Sequence, residues 1–445
     1  MAEAPTSKPV STRLQQIANQ AREAPDMVFT NLAHHIDLDL LREAYRQTRK
    51  TGAKGVDGQN GKAYGEQLDE NLPNLLDRMR TGRYFAPPVR RVYIPKSAKK
   101  DDLRPIGIPT FEDKVAQRAV ATILNAVYEQ DFYDCSYGFR PGRSPHQALE
   151  ALREGLRQQW GGWVLEVDIR GFFDTLDHRC LRSFLDLRVR DRGIRRLIDK
   201  WLKAGIMEDG ALRQAPDGTP QGGVVSPILA NIYLHEVLDK WFHQEVRPRL
   251  RGRAFLIRYA DDFIIGFRSP EDAKRVQEVM VKRFRKYGLE IHSKKTRLVD
   301  FRKPTEQTEP TVKGAFDFLG FTHHWGKSRK GNIVIRQRTA KTRLARALSK
   351  IDLWCKENRH KKLALQHATL MKKLNGHYQY YGLTGNSRAL QRFRALVIRA
   401  WKKWLGRRSR KANMDWRKMS LLLMRYPLNG IKVVHSIYRA ANPTV

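Results

Sequence analysis

Cysteine is scarce in this chain: Cys135, Cys180 and Cys355 stand far apart among 445 residues. No Cys-x-x-Cys pair occurs, which excludes a zinc ribbon and a disulfide framework and suits a reducing cytosol. Acidic residues are also short, with 46 Asp and Glu against 84 Lys and Arg, a net charge of +38. Solubility does not need so large an excess, and it points to a polyanionic partner. No apolar run nears the ~20 residues of a membrane span, so no membrane contact is expected. The start, Met1-Ala2-Glu3-Ala4-Pro5, lacks the charged opening and apolar stretch of a signal peptide. Repeats of solenoid length and low-complexity tracts are absent too. What is present is a folded composition, 41% hydrophobic and 9% aromatic, long enough for two or three domains.

The positive charge is uneven. From Gly326 to Val445, 30 Lys and Arg face three acids (Asp352, Glu357, Asp415), a net of +27, which leaves +11 for the first 325 residues. A solvated basic face explains one cluster but not this asymmetry, so the C-terminal third is expected to bind nucleic acid. Residues 1 to 26 are polar and expected to be loosely ordered. Leu68, Leu72, Leu75, Leu76 and Met79 make a helical stripe closed by Gly82. Val89 to Pro95 and Leu103 to Pro109 read as strands. Thr110 with Asp113 forms a capping-box pattern before a helix bearing Val115, Ala119, Val120, Ile123, Leu124 and Val127. Ser144-Pro145 opens another helix, stopped by Gly161-Gly162, and Trp163 to Val167 is a strand with Asp168 at its end. Beyond Gly326, apolar stripes at Leu344, Leu348 and Ile351, at Leu370, Leu374 and Tyr378, and at Leu390, Phe393, Val397 and Trp401 describe a small basic helical bundle. Strands and helices alternating irregularly around a set of carboxylates imply an α+β class.

The chemistry centres on Arg258-Tyr259-Ala260-Asp261-Asp262-Phe263. Apolar runs on both sides read as a hairpin with two adjacent carboxylates at its tip. An Asp-Asp pair is ordinarily a polar turn. Here a third strand-end acid, Asp168, makes a divalent-cation site the better reading, because carboxylates held close repel unless a cation lies between them. Three such acids can hold two Mg²⁺ ions ~3.5–4 Å apart for in-line phosphoryl displacement.

The ordered motifs resemble those of reverse transcriptases of the group II intron type. Ile94-Pro95-Lys96 with Arg104-Pro105-Ile106-Gly107-Ile108-Pro109-Thr110 resembles the fingers motif. Ser136-Tyr137-Gly138-Phe139-Arg140-Pro141-Gly142-Arg143-Ser144 is similar to the next. Asp168-Ile169-Arg170-Gly171-Phe172-Phe173-Asp174 resembles the first catalytic motif, and Pro220-Gln221-Gly222-Gly223-Val224 the template loop. Tyr259-Ala260-Asp261-Asp262 is similar to the catalytic hairpin, with Lys295-Thr296 and Phe318-Leu319-Gly320-Phe321 completing the palm.

The resemblance implies a right-hand polymerase: an N-terminal extension over residues 1–85, fingers and palm over 86–325, a helical thumb over 326–410 and a short basic tail over 411–445. Asp168, Asp261 and Asp262 would be catalytic and would bind two Mg²⁺ (Mn²⁺ substituting) with the Ile169 backbone. Lys96, Arg104, Phe173, Gln221 and Lys295 would bind the incoming dNTP, although Lys295 is equally read as a surface lysine. Gly222, Tyr259, Phe318, Leu319 and Gly320 would lie along primer and template, with Phe318 and Phe321 leaning toward core. Phe173 stands where the family has a steric gate against a 2′-hydroxyl, which favours DNA as product. The implied activity is RNA-directed DNA synthesis in the bacterial cytoplasm on a group II intron RNA, from a DNA primer or target, with help in splicing and mobility. An RNA-binding maturase with incidental polymerase activity, or a domesticated enzyme of repair or phage defence, stays open. Many relatives end in an HNH endonuclease with Cys and His ligands. The last residues here carry only His435, so no second-strand nicking is expected, and priming from existing 3′-ends is.

Overall fold

The computed structural model describes residues 9–95, 103–208, 211–213, 222–304, 314–328, 330–409 and 413–436. Helices α1 (Val10–Glu23), α2 (Leu38–Gln47), α3 (Gly61–Glu66) and α4 (Leu68–Thr81) lead into strands β1 (Val89–Pro95) and β2 (Leu103–Ile108). Next come α5 (Phe111–Tyr128), α6 (Pro145–Gln158), β3 (Trp163–Val167), α7 (His178–Asp186) and α8 (Arg192–Leu202). Short β4 (Ile206–Glu208) and β5 (Ala211–Arg213) precede α9 (Ser226–Leu234), which runs on into two π-helical turns, His235–Asp239 and Trp241–Val246. Then follow β6 (Ala254–Tyr259), β7 (Asp262–Phe267), α10 (Pro270–Lys286), β8 (Arg297–Asp300), β9 (Phe316–Phe318), β10 (Phe321–Lys327) and β11 (Ile333–Thr339). The chain ends in α11 (Lys341–Glu357), α12 (Leu363–Tyr381), α13 (Ser387–Leu405) and α14 (Trp416–Arg425). Among the described residues, no helix is long and apolar enough to cross a membrane.

The described chain divides into two compact units, one within residues 9–95, 103–148 and 164–298, the other within 149–163 and 299–436. In the first, one sheet has the order β2-β1-β4-β5, with β1 antiparallel to β2 and parallel to β4. A second sheet has the order β6-β7-β3-β8. The core of this unit includes α5, whose Val115, Ala119, Val120, Ile123, Leu124 and Val127 are completely buried, as the helical spacing predicts. Helix α1 is a departure from the loose N-terminus expected. Ile17, Ala18 and Ala21 fall on one face at helical spacing and pack against α5, which is enough to order an otherwise polar segment.

Only half of the Thr110 capping box forms. The Thr110 hydroxyl accepts the Asp113 N–H at 3.2 Å. The Asp113 carboxylate does not reach back; it turns into the core and accepts from the Tyr84 hydroxyl, which itself accepts from Trp201 Nε1 at 2.9 Å.

In the second unit, β10 is the middle strand of an antiparallel sheet ordered β11-β10-β9. A boundary at residue 326 falls inside β10, because the hairpin β10–β11 reads in sequence as a basic, glycine-broken stretch. The helical bundle is as expected for its first three helices, packed around Leu370, Leu374, Tyr378, Leu390, Phe393, Val397 and Trp401. The presumed tail holds a fourth, α14, started by the Asp415 carboxylate accepting the Lys418 N–H at 2.7 Å and anchored by buried Met419.

Burial pushes the Asp113 carboxyl up to about 7. A carboxyl raised on folding stabilises the native state fully below its unfolded value, near 4, and loses that contribution as pH rises through 7. Relative to Asp113→Asn, the wild-type chain is expected to lose on the order of 4 kcal/mol between pH 4 and 7 and nothing further above. Paired urea titrations across that range check this; a pH-independent difference refutes it.

Candidate active site

Adjacent strands β3 and β7 carry Asp168 just past the end of one and Asp261 just before the start of the other. Asp168 is fixed through its backbone: its carbonyl accepts the His292 N–H at 2.8 Å. Arg170 N–H in turn bonds Glu290 O at 2.8 Å, so Ile169 and Ile291 face each other without exchanging hydrogen bonds. In such a pair the Ile169 C=O points away from Ile291, and its side chain is buried. The Asp168 carboxylate meets Lys295 Nζ at 3.1 Å.

Strands β6 and β7 pair from Ala254↔Phe267 to Tyr259↔Asp262, which leaves Ala260-Asp261 as a two-residue turn. Ala260 is left-handed, φ 57°, where turns of this kind usually carry glycine. Asp261 is half-buried, and Asp262, the first residue of β7, is exposed. Burial raises the Asp261 carboxyl above its ordinary value; the charge of Asp168 adds to this, while Arg104 and Arg258 oppose it. Asp261 thus stands within electrostatic reach of both Asp168 and Arg104. Arg104 itself is exposed on β2, in register with Ile94.

Among the described residues, no three His, Cys, Asp or Glu side chains gather closely enough to enclose a metal ion. Two of the three acids face each other electrically. Lys295 holds the Asp168 carboxylate, and Asp262 is exposed beside Asp261. The donor chemistry nonetheless suits a hard cation: the half-buried carboxylates of Asp168 and Asp261, the latter disfavoured as an anion by burial and by its neighbour.

The remaining predicted residues divide clearly. Phe173 is half-buried and braced edge-on by buried Phe172, ring centres 5.3 Å apart. Tyr259 is half-buried, with Phe139 6.5 Å away. Gly222 has φ 125°, and a Cβ there would come within 2.4 Å of Gly107 O, so its close approach is to strand β2 of its own chain. Lys96 and Gln221 lie outside the described residues. Phe318, Leu319 and Gly320 belong to the second unit, where buried Phe318 ends β9 and the left-handed pair Leu319-Gly320 turns the chain into β10. The Leu319 carbonyl accepts from the Tyr380 hydroxyl at 2.8 Å.

Sequence reasoning missed three supports. Gln117 Oε1 accepts the Val224 N–H at 2.7 Å, tying the glycine loop to α5. Gly138 lies flat on the hairpin tip, where a Cβ would sit 2.2 Å from Ala260 N. Arg258 is wholly buried against Asp239. Only the Arg258 and Gly138 motif positions themselves hinted at these roles.

With this geometry in view, the match to known proteins is specific. Residues 94–323 match the family model described as reverse transcriptase (RNA-dependent DNA polymerase). The chain belongs to that family. It is 34% identical to the group II intron-encoded protein LtrA of Lactococcus lactis subsp. cremoris over 325 residues, 69% of this chain and 53% of that protein. It is 33% identical to protein YkfC of Escherichia coli over 366 residues, 73% of this chain and 91% of that one. An uncharacterized 91 kDa protein in the cob intron of Schizosaccharomyces pombe is 30% identical over 234 residues, 52% of this chain and 28% of its own length. The chain thus spans about half the length of LtrA. Membership in the reverse transcriptase family carries with it a general use of divalent metal ions and of nucleic-acid partners.

Gly138→Ala is expected to destabilise the protein by about 1–3 kcal/mol, the cost of overpacking against backbone that cannot move aside. Denaturant unfolding reads the change; a stability equal to wild type would show that the segment is not clamped on the hairpin.

Proposed function

We propose that this chain is an RNA-directed DNA polymerase, with fingers, palm and helical thumb in a right-hand arrangement, acting on a group II intron RNA. One observation carries the reading: Asp168 and Asp261, far apart in sequence, stand at neighbouring strand ends, where the charges of Asp168 and of Arg104 both act on Asp261. Asp168, Asp261 and Asp262, with the Ile169 carbonyl, would hold two Mg²⁺ ions or Mn²⁺ in their place. Such ions, when bound, activate a primer 3′-hydroxyl and neutralise the departing pyrophosphate. Lys96 and Arg104 clasp the triphosphate of a dNTP, the arginine by a two-pronged contact. Lys295, released from Asp168, holds a proton within reach of pyrophosphate. The Phe173 ring lies beneath the sugar and excludes a 2′-hydroxyl. Gln221 and Gly222 border the template, and Tyr259 with the Phe318-Leu319-Gly320 turn follows the primer.

The second unit supplies the grip on the hybrid. An open cleft of about 650 Å³ on α11 and α13 is lined by Lys356, Arg399 and Lys403 together with Leu348 and Ala400, and by Asp352, which pairs with Lys403 at 3.0 Å. A basic-rimmed cleft with apolar patches suits a nucleic-acid backbone. The charge of that unit also favours a second reading, a splicing maturase whose polymerase is incidental.

Asp261→Ala is expected to lower Mg²⁺-dependent dNTP incorporation on an RNA template by roughly two orders of magnitude or more while RNA affinity is kept. Full extension by the purified variant would overturn the polymerase site. Intron splicing aided by a wild-type chain that incorporates no dNTP on RNA would favour the maturase reading. Phe173→Ala is expected to reduce discrimination against NTPs by roughly tenfold or more. Unchanged sugar selectivity in competition assays would remove the gate from Phe173.

A further inference from the structure

Arg258 is the last residue but one of β6, and its side chain is 0% exposed. Its Nε and Nη2 bond the two Asp239 carboxylate oxygens at 2.8 and 2.5 Å. Its remaining nitrogen, Nη1, donates to Asn231 Oδ1 at 3.0 Å and to the Ala260 carbonyl at 3.2 Å. Asn231 passes the restraint on, donating Nδ2 to the Gly138 carbonyl at 2.8 Å. On the backbone, Arg258 N–H bonds Cys135 O at 2.8 Å and Tyr137 N–H bonds Arg258 O at 2.9 Å. The residue whose carbonyl Arg258 holds is the left-handed Ala260, and the residue after it is Asp261.

Three features separate this arrangement from ordinary core packing. A buried ion pair is a weak source of stability, and an apolar pair of similar volume often serves as well or better. What an apolar pair cannot do is donate to a carbonyl in the turn. Second, a non-glycine residue in the left-handed region costs roughly 1–2 kcal/mol, so the Ala260 conformation needs holding. Third, Asp239 is delivered by a π-helical turn, with Lys240 N–H bonding His235 O. The wider turn takes more residues per revolution and brings Asp239 back to the helix face that carries Asn231. Such turns are uncommon and concentrate at functional sites.

We infer that Arg258 is a positioning residue for Asp261: through the Ala260 carbonyl it locks the left-handed turn that aims the carboxylate toward Asp168. The inference rests on the polymerase reading for its consequence and on the hydrogen bonds above for its mechanism. Asp239 and Asn231 orient the guanidinium, and Gly138, packed against the Tyr259-Ala260 backbone and bonded to Asn231, closes the clamp. Substitutions in the layer behind metal ligands commonly cost about 10–100-fold in metal affinity or activity.

The test is Arg258→Lys, which keeps a cation for Asp239 but cannot fork that carboxylate and reach Ala260 at once. The full-length variant is expected to bind Mn²⁺ about tenfold more weakly by electron paramagnetic resonance titration, with kcat for dNTP incorporation down about 10–100-fold. KM for dNTP and RNA affinity stay within about threefold of wild type. Ala260→Gly added to Arg258→Lys is expected to recover part of both losses, since glycine adopts the turn unaided. Mn²⁺ affinity equal to wild type in Arg258→Lys, or no recovery with the added glycine, overturns the inference. Should Arg258→Lys not fold, Asn231→Ser, which loosens the same guanidinium, decides in its place: weakened Mn²⁺ binding supports the clamp and unchanged binding overturns it. A wild-type chain that incorporates no dNTP on RNA would sink the polymerase reading, and the Mn²⁺ titrations would still decide whether the clamp sets the site.

Discussion

Arg258 and Asp239 are buried together with no exposure to solvent, and the turn that carries Asp261 is bonded directly to that pair. Either charge left alone in the interior would cost several kcal/mol, so neither element can withdraw from the other. The fork also occupies the arginine fully, since each nitrogen has an acceptor: Asp239, Asn231 or the Ala260 carbonyl. Four stretches meet there: the Cys135–Gly138 segment, α9, the π-helical turn and β6. The acidic turn of the hairpin therefore inherits its conformation from the interior beneath it.

Electrostatics outside the core runs the opposite way. The acids at and beside the hairpin tip are few: Asp261 is half-buried and disfavoured as an anion, Asp262 is exposed, and Asp168 is answered by Lys295. The chain around them is strongly basic, and its last third most of all. A phosphate-rich ligand is drawn by the long-range charge, while the local excess of carboxylate calls for cations. These two demands coexist because each acts over its own distance, the second over a few ångströms and the first over the Debye length.

Much of the fold was legible in the residues. The stripe of α5, the Pro-started helices at Pro145 and Pro270, and the strands flanking Asp261 and preceding Asp168 all follow from periodicity and caps. The unread parts have common causes. Helix α1 is polar and gains its order from α5, a contact no local pattern announces. The π-helical turns look like ordinary helix in sequence, because only the hydrogen-bond partner shifts. Hairpin β10–β11 is basic and partly exposed, and so lacks a clear alternation. At the site, Gly222 reads as a residue kept small for a template, yet the atom nearest its absent Cβ is the carbonyl of Gly107.

By itself the sequence determined which groups are available: three acids at strand ends, a basic C-terminal third, an aromatic at Phe173 and an ordered run of motifs that marks the family. These follow from residue type and spacing, which are local and additive. Only the tertiary structure decided that Asp168 and Asp261 end neighbouring strands, that Lys295 answers Asp168, and that Arg258 reaches the Ala260 carbonyl. Those relations depend on which strand lies beside which and on what the core will accept, and a buried charge finds its partner through space rather than along the chain.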